Sequence, residues 1–300
     1  MKKKSNPVVF FGSGPVAARS LELLIKHQDI AAIVTKPATL NLMQTVIPEV
    51  PVYAVSSKNE LDELVNNKSF PDKLGILIDF GIIVSKQVIN YFEYGIINSH
   101  FSLLPQWRGA DPITFSLLSG QPETGVSLML LTPELDEGPI LSQARYEIPA
   151  RCTNEQLSEE LVNLSDILFS ECTDIYLDGD IIPINQEPAA ALLGLEYHPT
   201  YSRKLSKEDG KIDWTKPAEE LEREIRAFHS WPKSYTSLNG IDVLIRDTNI
   251  LENSGQPGTY EFTKKTLTVY CGYGALDIKM IQPSGKKEMP IQAFLAGYKL

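Results

Sequence analysis

Asn98 and His100 stand two residues apart just after the apolar pair Ile96-Ile97. On a β-strand, residues two apart share a face and lie ~6.6 Å apart along it. An imidazole titrates near neutral pH and can give or accept a proton. A carboxamide can donate a hydrogen bond to an oxygen that becomes negative during reaction. Ser102 continues the alternation, and Leu103-Leu104-Pro105 ends it. A carboxylate set against His100 would orient the ring and stabilise its charged form. The turn Glu134-Leu135-Asp136-Glu137-Gly138-Pro139 offers three acids, and the residues alone do not choose among them. A second motif, Gly12-Ser13-Gly14-Pro15-Val16-Ala17, fits the G-x-G-x-x-A turn of dinucleotide sites. That turn also needs an acid at the end of the second strand to hold a ribose. Here that strand ends Val34-Thr35-Lys36-Pro37, which favours a plain tight turn, or a contact to another polar ligand, over NAD. The four histidines, His27, His100, His198 and His229, form no metal-binding pair. There is no phosphate loop of the Walker type and no G-x-S-x-G nucleophile elbow.

The elements that must carry these groups alternate in period. Val8–Phe11 is a short apolar run ending at the glycine turn, and Pro15 opens a helical pattern through Val16, Ala17, Leu21, Leu23 and Leu24. Further runs occur at Ile30–Thr35, Gly75–Phe80 and Gly95–Ile97, with a helical pattern over Ser85–Phe92. Strands alternating with helices predict a parallel sheet covered on both faces, and in such sheets ligand crevices form at the carboxyl ends of the strands. Asp111-Pro112 predicts a capped helix to Leu118, Val126–Leu131 and Ile140–Ile148 predict strands, and Asn154–Leu177 predicts a long helix. Pro183, Pro188 and Pro199 then mark a linker. A helix with Leu221, Ile225 and Phe228 on one face follows. After it come short β-rich runs at Ser234–Leu238, Val243–Arg246, Gly258–Phe262, Leu267–Tyr270 and Leu276–Gln282, the pattern of a small barrel. The expected organisation is a catalytic domain over 1–183, a linker over 184–203 and a barrel domain over 204–300.

The chain has 300 residues, 43% of them hydrophobic and 22% charged, which suits a folded protein of one large or two ordinary domains. Its net charge of −10 argues against a general nucleic-acid binder but leaves room for a local basic face. Cys152, Cys172 and Cys271 are odd in number and lack C-x-x-C spacing, so a disulfide framework is not expected and a reducing compartment is. No apolar run is long enough to span a membrane. The opening Met-Lys-Lys-Lys is followed by too short an apolar stretch for a signal peptide and reads as a solvated tail.

The stretch from Ile97 to Pro112, INSHFSLLPQWRGADP, resembles the signature of the folate-dependent formyltransferases. Thr124-Gly125-Val126, Leu135–Gly138, Lys204–Trp214 and Arg226–Pro232 agree with it, so the likeness covers nearly the whole chain. Within that family it is most similar to the branch whose acceptor is methionyl-tRNA. The resemblance implies a Rossmann-like domain with a mostly parallel sheet, followed by an OB-like β-barrel. It implies formyl transfer from 10-formyltetrahydrofolate to the amino group of initiator methionyl-tRNA, for translation initiation in the cytoplasm, by a monomer that needs no metal and touches no membrane. It makes Asn98, His100 and Asp136 the catalytic trio, with Ser102, Leu103, Leu104, Pro105, Phe80, Gly81 and Ile82 lining the folate site. Three departures stand out. Pro37–Val50, where the family carries a long basic loop, has no Lys, Arg or Gly; Asp111 replaces a small residue; and Ser230 replaces a proline. Contacts to tRNA are therefore expected elsewhere, at Arg203, Lys204, Lys207 and Lys211, and at Lys264, Lys265, Lys286 and Lys287. The alternatives are an amino sugar nucleotide as acceptor, an NAD(P)-dependent oxidoreductase resting on Gly12 and Gly14, and a binding module without activity.

Overall fold

The structure is a computed structural model that describes residues 6–300; Met1–Ser5, including the lysine run expected as a solvated tail, lie outside the described residues. The chain divides into two units. The first comprises residues up to Pro112, Glu123–Glu147 and Ser158–Ser202, and the second comprises Ile113–Pro122, Ile148–Leu157 and Arg203–Leu300.

The first unit is built on β1 (Val8–Gly12), α1 (Gly14–Leu24), β2 (Ile30–Thr35), α2 (Leu40–Val46), β3 (Val52–Ala54), α3 (Lys58–Asn67), β4 (Leu74–Ile78), α4 (Lys86–Ile89) and β5 (Ile96–His100). The strand β6 (Arg108–Gly109) ends this stretch; α5 (Pro112–Ser119), between β6 and β7 in the chain, belongs from Ile113 onward to the second unit, and β7 (Glu123–Leu130) and β8 (Ile140–Glu147) complete the sheet. Its strand order is β3-β2-β1-β4-β5-β7-β8, parallel from β3 to β5, with β7 and β8 antiparallel. All five residues of β1 are buried, as a strand covered on both faces requires. The order reverses between β1 and β4, so the crevice of this sheet opens at their carboxyl ends. Gly12 is fixed there by crowding, because a Cβ would lie 2.5 Å from the Phe10 ring and 2.8 Å from the Ala17 Cβ.

The apolar stretch after β2 is not a loop. Pro37–Thr39 forms a 3-10 turn that runs into α2, whose Met43 is fully buried while Leu42 is exposed. The helix expected over Ser85–Phe92 shrinks to α4, one turn capped by Ser85. After β8 come α6 (Asn154–Leu177), α7 (Gln186–Leu192) and β9 (Tyr201–Ser202), which pairs with β6. The segment read as a linker is thus folded. Ile184 and Ile140 exchange backbone hydrogen bonds of 3.0 and 2.7 Å, and Ala189 packs with Leu104, Met129 and Ile140.

The second unit carries α8 (Ala218–Ala227), β10 (Tyr235–Leu238), β11 (Ile241–Leu251), β12 (Tyr260–Phe262), β13 (Leu267–Tyr270), β14 (Ala275–Pro283), β15 (Met289–Pro290) and α9 (Ile291–Gly297). Its strands pair antiparallel in the order β10-β11-β14-β13-β12, with β15 on β14, the curled sheet of a small barrel-like domain. Leu221 and Ile225 of α8 and Phe294 of α9 join its buried core. Among the described residues no helix is long and apolar enough to cross a membrane.

Candidate active site

Strand β5 presents its residues alternately. Ser99 Oγ shares a 2.7 Å hydrogen bond with Ser165 Oγ of α6, so Asn98 and His100 occupy the opposite face. Both are buried. The His100 ring is held at one edge and faces a carboxylate at the other. Nε2 donates to the Trp107 carbonyl at 2.9 Å, and Nδ1 lies 3.8 Å from Asp136 Oδ2. The same Asp136 oxygen accepts the Gly109 N–H at 2.7 Å. The structure therefore brings His100 and Asp136 together. Of the other two acids in the turn, Glu137 pairs with Arg108 at 2.9 Å and Glu134 is exposed.

The turn that carries Asp136 is braced from below. Asp136 adopts a left-handed φ of +51°, which a non-glycine residue holds only under constraint. Gln186 Nε2 donates to the Asp136 carbonyl at 2.7 Å and to the Gly138 carbonyl at 3.1 Å. Gln186 Oε1 accepts from Arg108 Nη2 at 2.7 Å and Nε at 3.2 Å. Arg108 and Gln186 are both 3% exposed, so these bonds act in a low-dielectric setting. Neither is among the residues expected at the site. Arg108 lies inside the signature stretch, which is a signal of a kind, but a glutamine in a proline-rich segment carries none.

Of the other expected residues, Ser102, Leu103 and Leu104 are fully or almost fully buried, as is Phe80, which packs edge-on against Phe11. Ser127 Oγ bridges the Ser102 carbonyl at 2.6 Å and the Leu104 N–H at 3.0 Å, and Gln143 Nε2 reaches Ser127 Oγ at 2.7 Å. This segment is fixed by β7 and β8 and ends in a cis bond at Pro105. Any contact it makes to a ligand runs through its backbone and shape. Gly81 has φ +63° and Ile82 is half-buried.

Asp79, directly after β4, belongs to no sequence motif. Asp79 keeps an exposed surface, but protein packed around its carboxyl withdraws water from it and pushes the group up to about 7, with Lys36 opposing the rise and Asp111 adding to it. A lone acid closing an apolar run at a strand's carboxyl end is the one signal the sequence offers for it. Among the described residues no cluster of His, Cys, Asp and Glu could hold a metal ion.

Residues 6–173 match the family model for formyl transferase, and residues 204–299 match that for the formyl transferase C-terminal domain.

The chain belongs to the formyl transferase family.

Relatives include the methionyl-tRNA formyltransferase of Myxococcus xanthus (strain DK1622), 32% identical over 98% of this chain and 95% of that protein. The methionyl-tRNA formyltransferase of Thermodesulfovibrio yellowstonii is 33% identical over 99% of this chain and 97% of its own length. Among solved structures, an N-formyltransferase from Helicobacter canadensis, in complex with folinic acid and dTDP-3-aminofucose, superposes with a TM-score of 0.68. It is 18% identical and covers 93% of this chain and 99% of its own. At that identity the likeness shows the fold alone, a formyl transferase domain of Rossmann type followed by the small barrel-like domain.

The basic residues of this formyl transferase fall into distinct settings. Arg203 is paired with Asp209, whose carboxyl that guanidinium holds well below the usual range. Lys204, Lys264, Lys265, Lys286 and Lys287 are exposed. Lys207 and Lys211 line a cavity of about 640 Å³ in the second unit together with Lys233, Tyr235 and Ser284. Lys233 is not among the expected contacts. It takes a left-handed φ of +73°, which the sequence does not mark.

Proposed function

We propose that this protein transfers the formyl group of 10-formyltetrahydrofolate to the amino group of initiator methionyl-tRNA, and that it does so in the cytoplasm as a monomer. The reading rests chiefly on near full-length identity of 30–33% to methionyl-tRNA formyltransferases, and the His100–Asp136 pairing at the carboxyl edge of the sheet supports it.

The chemistry follows from the placement of three side chains. The acceptor nitrogen attacks the formyl carbon, and charge collects on the formyl oxygen. Asn98 donates to that oxygen from its carboxamide. His100 Nε2 is committed to the Trp107 carbonyl, so its proton chemistry falls to Nδ1. At 3.8 Å from Asp136, Nδ1 is beyond hydrogen-bond length and remains able to serve the reacting centre. Asp136, anchored by the Gly109 N–H, balances the charge of a protonated ring. The folate lies against the backbone of Ser102–Pro105 and beside Phe80, Gly81 and Ile82.

For the nucleic acid, the lysines of the second-unit cavity supply phosphate contacts in place of the absent basic loop after β2. The deciding experiment compares methionyl-tRNA with amino sugar nucleotides as acceptors under the same folate supply. Turnover confined to the sugars would overturn the reading.

A further inference from the structure

We propose that Asp79 is a further catalytic residue, which receives the acceptor's ammonium group and takes from it the proton that must leave before the nitrogen can attack. The inference rests on the formyl-transfer reading and adds a residue to it. Asp79 follows β4 at the point where the strand order reverses, the mouth of the crevice in this fold. In the parallel pairing of β4 with β5, Gly75 lies by Ile96, Ile76 by Ile97 and Leu77 by Asn98. β4 ends at Ile78 and the neighbouring β5 ends at His100, so Asp79 leaves the sheet at the same carboxyl edge as His100.

The backbone there is held in place rather than relaxed. Asp79 has φ +46°. Its carbonyl accepts the Ser13 N–H and the Ser13 hydroxyl, both at 3.0 Å, and the same hydroxyl reaches the Phe80 carbonyl at 2.9 Å. A non-glycine residue kept in this region beside a reactive centre is a recognised sign of function. The carboxylate lies near Gly14, whose missing Cβ would sit 3.5 Å from Oδ2. Among the described residues it receives no hydrogen bond and no ion pair, and Asp79 is exposed, so a substrate can reach it.

The charged groups facing it are Lys36, after β2, and Asp111, two residues beyond the Gly109 that anchors Asp136. The first turn of α1 carries no acid. Protein around the carboxylate and the Asp111 charge together hold it near 7, the range in which a base is half ready at physiological pH.

The protons balance. The acceptor enters as an ammonium. Its first proton passes to an Asp79 oxygen and then to water. The nitrogen lone pair forms the new C–N bond, and the bond from the formyl carbon to the folate nitrogen breaks. The electron pair stays on that nitrogen, which takes the second proton of the attacking group.

The test is the pH profile of kcat/KM from pH 6 to 9 for Asp79→Asn and Asp79→Glu, with methionyl-tRNA as acceptor. Loss of a positioned base costs about 100-fold, so Asp79→Asn should fall by about that factor at pH 7. The deficit should narrow as rising pH deprotonates the amine unaided, and Asp79→Glu should restore a good part of the rate. A deficit below about three-fold at pH 7, or one that stays constant from pH 6 to 9, overturns the proposal. Asp111→Asn gives an independent readout should Asp79→Asn fail to fold. Removing that charge should move the acidic limb to lower pH, and an unmoved limb also overturns it. Wild-type turnover with methionyl-tRNA tests the parent reading. The Asp79 proposal is judged on the ratio of variant to wild type with whichever amine turns over.

Discussion

Gln186 offers the sharpest test of how the site is held. Its two polar ends make four hydrogen bonds, two to the carbonyls of Asp136 and Gly138 and two from the Arg108 guanidinium. Gln186→Leu keeps most of the volume and removes all four. The two bonds to Arg108 are charge-assisted and worth ~1.5–3 kcal/mol each in net terms, the other two ~1 each. Full loss would amount to roughly 5–8 kcal/mol. Arg108 keeps its ion pair with Glu137, and relaxation will recover part, so a destabilisation of about 3 kcal/mol is expected. Gln186→Glu separates the two ends: its carboxylate still accepts from Arg108 but cannot donate to the Asp136 turn. It should cost less stability than the leucine. It should still lower kcat, because a shift of ~1 Å in a positioned group can cost about 100-fold. Urea unfolding and single-turnover formylation, read side by side, give both quantities. If both variants keep kcat within about three-fold of wild type, Gln186 does not position Asp136 and the bracing argument fails.

The remaining expectations are briefer. On the proposed mechanism Asn98→Ala loses an oxyanion donor, worth ~3 kcal/mol in the transition state, and His100→Ala loses a proton-transfer group worth ~10²–10⁴ in rate; wild-type kcat in either, with the fold intact by circular dichroism, would sink the assignment. Asp79 also bears on stability. Its carboxyl sits at about 7 in the folded protein against the ordinary aspartate value of 3.8, so the folded state binds the proton more tightly and wild-type stability falls as pH rises from about 4 to about 7. Three units would correspond to ~4 kcal/mol, but Asp79 is exposed, and solvent screening leaves about 1 kcal/mol. Asp79→Asn should therefore gain about 1 kcal/mol over wild type at pH 8 and nothing below pH 4, and an equal change at both pH values refutes the assignment. Finally, Lys207→Ala/Lys233→Ala should flatten the log–log salt dependence of tRNA binding by about 1.5, since each phosphate contact contributes ~0.7–0.9; an unchanged slope and affinity would remove the cavity from the nucleic-acid interface.

What the sequence determined by itself is periodic or local. Alternation after Ile96-Ile97 placed Asn98 and His100 on one face of a strand end, and the strand is there. The glycine turn, the long helix Asn154–Leu177 and the strand Leu267–Tyr270 were legible for the same reason: each is fixed by spacing within a few residues. The short helix at Leu40–Val46 was not, because one buried side chain, Met43, sets its orientation and seven residues carry too little period to show it. Spacing could not decide among Glu134, Asp136 and Glu137 either. All three lie in one turn, and only the resemblance singled out Asp136. In the folded chain, Arg108 draws Glu137 away, while Gly109 and Gln186 fix Asp136 toward the histidine. Gln186 sits fifty positions from the residue it braces, and the carboxyl of Asp79 is tuned by Lys36 and Asp111, each more than thirty positions away. Burial and charge act through space, so groups distant in sequence set the chemistry of the site, and only the tertiary structure brings them within range.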